Sequence, residues 1–218
     1  AYDREFVYFR LEWDSKGTGW RKKHGDSGAP DRVSIQLNRL DASFRKYGCF
    51  ITCHNDLNTM PQSPSEKEVA ADPYYGRLNR DDVRLYAWYA RDSWSERKGE
   101  HELQQRLKDG GRIDMLSVEI EDAAVKPRDG WVFDDRGWDE KGGVEASGSW
   151  ANGKNSIVFK RRLVSADPYD VSFGEGDTIS IGVAIHEDRA SKRKHYVSFP
   201  FSVGIGADGD VKALKLSE

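Results

Sequence analysis

Sulfur is scarce in this chain of 218 residues, which holds two cysteines and two methionines. Two cysteines cannot supply a disulfide framework, and a chain of this length can bury a core without one. A charge excess of one sign is also missing: 34 Lys and Arg against 37 Asp and Glu leave a net charge of −3. That excludes the basic surplus of a dedicated nucleic-acid surface. No apolar run approaches the ~20 residues of a membrane span. Residues 1–11, AYDREFVYFRL, are interrupted by charges and do not read as a signal peptide. They read as a strand already under way, as in a domain preceded by, or excised from, a longer protein. The expectation is one soluble domain spanning 1–218.

What is present is mostly β. Phe6, Tyr8, Arg10 and Glu12 alternate with Val7, Phe9, Leu11 and Trp13, and Val33, Ile35 and Leu37 share one face of a second strand. The 15–30 stretch reads as a polar loop, and SPSEKEVAADPYYG as a turn-rich connection. RDDVRLYAWYARDSW fits either helix or strand, whereas HELQQRLKDGG reads as a short helix closed by Gly110 and Gly111. Alternation returns through Leu116, Val118 and Ile120. Residues 121–155, rich in Gly, Asp and Trp, read as long loops with short strands. Further strands carry Ile157, Phe159, Arg161 and Leu163 on one face, then Ile179, Ile181, Val183 and Ile185, then His195, Val197, Phe199, Phe201 and Val203. The pattern predicts a mainly β fold: an antiparallel β-sandwich with long loops and a few short helices.

Both cysteines fall in one stretch, YGCFITCHNDLNTMP, residues 47–61. Cys49, Cys53 and His54 form C-x3-C-H, one residue longer than the C-x-x-C-H of c-type haem attachment. That chemistry needs two thiols to reach the two vinyl groups and an adjacent imidazole for the iron. An extra residue can bulge outward without moving the thiols far. A Cys49–Cys53 disulfide would leave His54 and Met60 without a purpose. Zinc would need His24 or His101 to complete four ligands. A copper loop also carries Cys, His and Met, but it sits near the end of a small sandwich, whereas most of this chain follows the motif.

The order and spacing of YFRLEW, GCFITCHNDLNTMP, VFKRRLVSADPYDVSFGEGDTISIGVAIHED and RKHYVSFPF resemble the haem-binding domain of ethylbenzene dehydrogenase gamma subunits. That group is similar to the haem subunits of dimethyl sulfide dehydrogenase and chlorate reductase, and to c-type cytochromes that share the domain. The resemblance covers nearly the whole chain. It implies a β-sandwich holding haem between loops at one edge, and electron transfer outside the cytoplasm, periplasmic or extracellular. The implied partner is a redox protein, either a molybdenum enzyme or a multihaem cytochrome. In the gamma subunits haem b is held by Met and Lys; Met60 stands where that Met falls, and His195 about where that Lys falls. The C-x3-C-H motif departs from those subunits and implies haem c, with haem b as the alternative.

His54 is then the expected iron ligand on one side. His195, in phase with Val197, Phe199 and Phe201, is the first choice opposite it, because a buried imidazole needs a partner. The plain alternative for His195 is a core histidine bonded to backbone. Met60 is the second choice; its short tether to His54 makes the far face hard to reach, and it could instead pack on the haem edge. His186, out of phase with Ile185, reads as surface, and His24 as solvated. The run DRASKRKH reads as a solvated turn that could dock an acidic electron partner. Trp88, Trp94 and Trp131 read as packing groups. No nucleophile–base constellation points to an enzyme. The competing class is a carbohydrate-binding sandwich without haem.

Overall fold

The structure is a computed structural model that describes residues 1–21, 30–39, 41–47, 65–73, 76–78, 91–93, 96–133, 136–139, 142–187 and 195–217. Its strands are β1 (Phe6–Asp14), β2 (Asp31–Asn38), β3 (Arg91–Ser93), β4 (Glu96–Arg97), β5 (Ile113–Glu121), β6 (Ala124–Val132), β7 (Arg136–Asp139), β8 (Val144–Ala151), β9 (Lys154–Arg162), β10 (Asp177–His186), β11 (Tyr196–Val197), β12 (Phe201–Ile205) and β13 (Val211–Lys212). Short helices interrupt them: α1 (Thr18–Arg21), α2 (Ala42–Tyr47), α3 (Glu66–Ala71) and α4 (Glu100–Lys108).

Two sheets face each other. The small one runs β1-β9-β8; the large one runs β13-β12-β10-β2-β5-β6-β7, with β11 added on β10. Pairing is antiparallel except where β13 lies parallel to β12. Between the sheets, Val7 and Phe9 of β1 and Ile157 and Phe159 of β9 meet Val33, Ile35, Leu37, Leu116, Val118, Ile120, Ile179 and Ile181. Each of these aliphatic side chains contributes about 1.5–3 kcal/mol on burial. The expected sandwich and its inward faces are therefore present.

Three of the segments that differ from the sequence reading do so for a plain physical reason. β6 and β8 are long strands where 121–155 reads as loops with short strands. Their outer faces are exposed and polar, so they carry no apolar alternation. Two-residue hairpins set their register instead: Asp122 and Ala123 adopt φ of 53° and 56°, and Asn152 and Gly153 adopt 51° and 76°. The turn-rich connection contains α3, started by a capping box in which Ser65 and Glu68 bond each other's backbone N–H. Lastly, the strand expected over 195–203 is broken between β11 and β12, and Phe199 is 82% exposed. The helix at 100–108 is closed as expected, with Gly110 at φ 80°.

β2 and β10 lie in the middle of the large sheet and are buried on both faces. On the side away from the sandwich core, α2 and α4 bring Phe44 and Leu103 against Ile113 and Met115 of β5. Further along the same face the side chains shrink. One cross-strand rung holds Gly182, Gln36 and Met115; the next holds Ala184, Ser34 and Ser117. Ser34 Oγ and Ser117 Oγ are 2.9 Å apart. Gly182, Gln36, Ala184 and Ser117 are all buried.

Candidate functional site

The rung after Ala184 begins with His186, paired across the sheet with Arg32. On the other side, β11 returns antiparallel, with Tyr196 opposite Ile185 and Val197 opposite Ala184. That register puts His195 beside His186 at the rim of the small-residue face. The two imidazoles stack with centroids 4.4 Å apart and planes 17° from parallel. The Nδ1 atoms of both are buried without a hydrogen-bond partner. Burial, then the Arg32 charge, then His195 push His186 down to about 4, so it is neutral at pH 7 and keeps a lone pair.

His195 thus lies on the face opposite the sandwich core, not in phase with the core residue Val203 as the uninterrupted strand implied. The chain kink at 198–200 changes the phase. His186 is half-buried rather than a surface residue. Period-two reasoning assigned it to solvent because it assumed that only one face of its strand was covered. The available signal was composition: Gly182 and Ala184, in phase with His186, are the small residues of a second buried face.

Cys49, Cys53, His54 and Met60 lie outside the described residues, as do His24, Trp88 and Trp94. His101 is exposed on α4. Trp131 packs as expected, stacked on Tyr169 with centroids 4.1 Å apart.

Sequence reasoning missed a second polar cluster, inside the sandwich. Arg161 extends the inward row of Ile157 and Phe159, and it is 3% exposed. Its Nη1 lies 2.7 Å from Asp114 Oδ2, and its Nη2 lies 3.7 Å from Asp170 Oδ2. Asp129, on the neighbouring β6, accepts the Gly143 N–H at 2.7 Å. Burial outweighs the Arg161 charge and raises Asp114 to about 7; burial and Asp170 raise Asp129 to about 6. The signal was a charge standing in phase with an apolar row: Arg161 with Phe159, Asp114 with Leu116.

The sequence profile of the ethylbenzene dehydrogenase family matches residues 65–198. The chain belongs to that family. The matched span contains His186, His195 and the whole carboxylate cluster, while the C-x3-C-H motif precedes it. Among curated relatives, a protein of Stutzerimonas stutzeri named cytochrome c-552 is 27% identical over 221 aligned residues, 99% of this chain. A cytochrome c-551 of Rhodocyclus tenuis is 36% identical over 74 residues, 34% of this chain. The chain spans 63% of the first relative's length, and the aligned part covers 28% of the second's. Among the described residues no helix of this ethylbenzene dehydrogenase family member is long and apolar enough to cross a membrane.

Proposed function

We propose that the chain is a single electron-transfer haem domain, acting outside the cytoplasm as a redox subunit or domain rather than as an enzyme. Family membership and the cytochrome names of both relatives support the haem class. The observation that carries the reading to named residues is the His186–His195 pair: two stacked imidazoles with buried, unpartnered nitrogens, at the rim of a face of small side chains. These residues fit the group. An orphaned imidazole nitrogen is a ready metal ligand, and the buried Nδ1 atoms of His186 and His195 are two such nitrogens side by side.

In this reading Cys49 and Cys53 would hold the haem through thioether links, and His54 and His195 would bind its iron, with Met60 as the alternative to His195. His186 is a positioning residue, because its stacked ring fixes the plane of His195. When bound, haem iron supplies a one-electron couple. Two imidazoles favour the ferric state relative to a Met–His pair, since thioether is the softer ligand. The redox partner is a protein of the molybdenum-enzyme or multihaem class.

Acid–acetone extraction followed by pyridine haemochrome spectroscopy tests attachment: the haem stays with the denatured chain, whose mass exceeds the polypeptide by one haem. Freely extracted haem installs the b-type alternative, and a colourless protein overturns the reading. For the ligands, His54→Ala loses the low-spin spectrum and Met60→Ala leaves it largely intact. A far-red charge-transfer band in the ferric protein would replace His195 by Met60.

A further inference from the structure

The sandwich interior ends, beyond Phe159, in an arrangement that electron transfer does not use. Asp114 of β5, Asp129 of β6 and Asp170, in the segment after β9, are 0%, 4% and 7% exposed. Each offers a carboxylate oxygen, and these oxygens all lie within 4.8 Å of one another. Some of their bonding capacity is met inside the chain. Asp114 Oδ2 takes Arg161 Nη1 at 2.7 Å and the Val171 N–H at 3.0 Å, and Asp129 Oδ2 takes the Gly143 N–H. The other oxygens of Asp114 and Asp129, both Oδ1, are buried and have no hydrogen-bond partner. Orphaned acceptors on residues more than nine-tenths buried call for a ligand that accepts lone pairs.

The local charge does not close either. Three buried carboxylates face one buried guanidinium, Arg161. Arg112, half-buried at the edge, donates to the carbonyls of Leu107 and Asp170 and adds a second positive charge that Asp114, Asp170 and Asp167 share. Asp139, raised by burial and by Asp167 and Asp170, adds a further negative charge that reaches Asp170. A monovalent neutraliser leaves the three carboxylates and Arg161 with a net negative charge; a divalent one balances them.

We infer that Asp114, Asp129 and Asp170 form a binding site for a hard divalent cation of the calcium class. The distance limit agrees with that ion. Oxygens bound at about 2.3–2.6 Å to one centre can lie no more than about 5 Å apart, and all-oxygen ligand sets are what calcium takes. The ion ties three elements together: β5, β6 and the chain leaving β9. Arg161 keeps its place on Asp114 Oδ2, which leaves the opposite oxygen for the ion. The rival occupant is a proton shared among the carboxylates, since burial already raises Asp114 and Asp129.

The test uses the full chain as purified, dialysed against EDTA and then against calcium. Equilibrium dialysis with metal analysis reads the stoichiometry, and circular dichroism reads the thermal midpoint. The expected result is one calcium per chain and a midpoint raised by about 5 °C at saturating calcium. Asp129→Asn loses both responses. Asp170→Asn, at a second position, does the same and covers the case in which the first variant does not fold. Wild-type protein that binds no calcium overturns the site and leaves the shared proton as its occupant. Calcium bound equally by wild type and both variants places the ion elsewhere and also overturns it. Neither readout depends on haem, so the outcome is independent of the functional reading.

Discussion

Two polar clusters, one buried and one half-buried at the rim, sit on opposite faces of the large sheet, and physics treats them alike while the chain treats them differently. Burial favours the neutral form in both, raising Asp114 and Asp129 and lowering His186. The carboxylate cluster, on the core side, has its own counter-charge in Arg161 and its own backbone donors in Val171 and Gly143. Among the described residues the Nδ1 atoms of the imidazole pair have no hydrogen-bond partner, and Arg32, paired across the sheet from His186, has the same sign that a protonated ring would carry. The carboxylate cluster joins β5, β6 and the chain after β9 around a single buried guanidinium. His186, lowered by burial, instead keeps a neutral nitrogen with its lone pair.

The largest effect that separates them is on stability. Arg161→Ala strands Asp114 in the core, and removing one partner of a buried pair costs about 3–5 kcal/mol. Urea unfolding should show that loss, whereas His195→Ala at the sheet rim should cost far less. Equal losses would mean that the imidazole pair is as structural as the carboxylates. The contrast reverses in the spectrum. His195→Ala should convert the low-spin haem spectrum to high-spin. Arg161→Ala should leave it unchanged in whatever fraction of the protein remains folded.

A subtler separation concerns His186 as a positioning residue. His186→Phe keeps a flat ring against His195 and should leave the reduction potential within about 30 mV of wild type, close to a factor of three in the one-electron equilibrium constant. His186→Ala frees the His195 ring and should move the potential further. Redox titration of the two variants decides, because a purely structural role would change stability and not separate the two potentials.

Legibility followed the physics of one-sided patterns. Val33, Ile35 and Leu37, or Ile157 and Phe159, show themselves because alternate positions are wet or polar. β10 is central, so both of its faces are buried, and the phase of His186 could not announce its burial. The hairpin at Asn152–Gly153 was written in the chain as an Asn-Gly pair, yet polar flanking strands masked it. Asp129 was beyond reach: it follows Lys126, Pro127 and Arg128 in a strand without apolar alternation, and only tertiary packing brings it to Asp170. The family likeness was legible through order and spacing, and the match over 65–198 agrees with it. The reading of Cys49 and Cys53 rests on chemistry alone, since both lie outside the described residues.

A further separation is in the pH dependence, and its sign differs between the clusters. In calcium-free protein Asp114 and Asp129 have folded pKa values raised to about 7 and about 6. A raised carboxyl contributes stability that is fully present below its unfolded value near 4 and is lost as pH rises through the folded value. His186 is depressed to about 4. Its contribution is intact above the unfolded value near 6.5 and is lost as pH falls toward 4. Between pH 4 and 6 the two clusters therefore pull in opposite directions, each group by at most about 1.4 kcal/mol per pH unit. His186→Gln removes the loss on acidification, so this variant should gain stability from pH 7 to pH 5 more steeply than wild type. Asp129→Asn removes one opposing contribution and should show the reverse. Urea midpoints at pH 5, 6 and 7 for the three proteins read the sign directly. Parallel curves would show that neither cluster changes its protonation on unfolding, and the contrast between them would then lie in geometry alone.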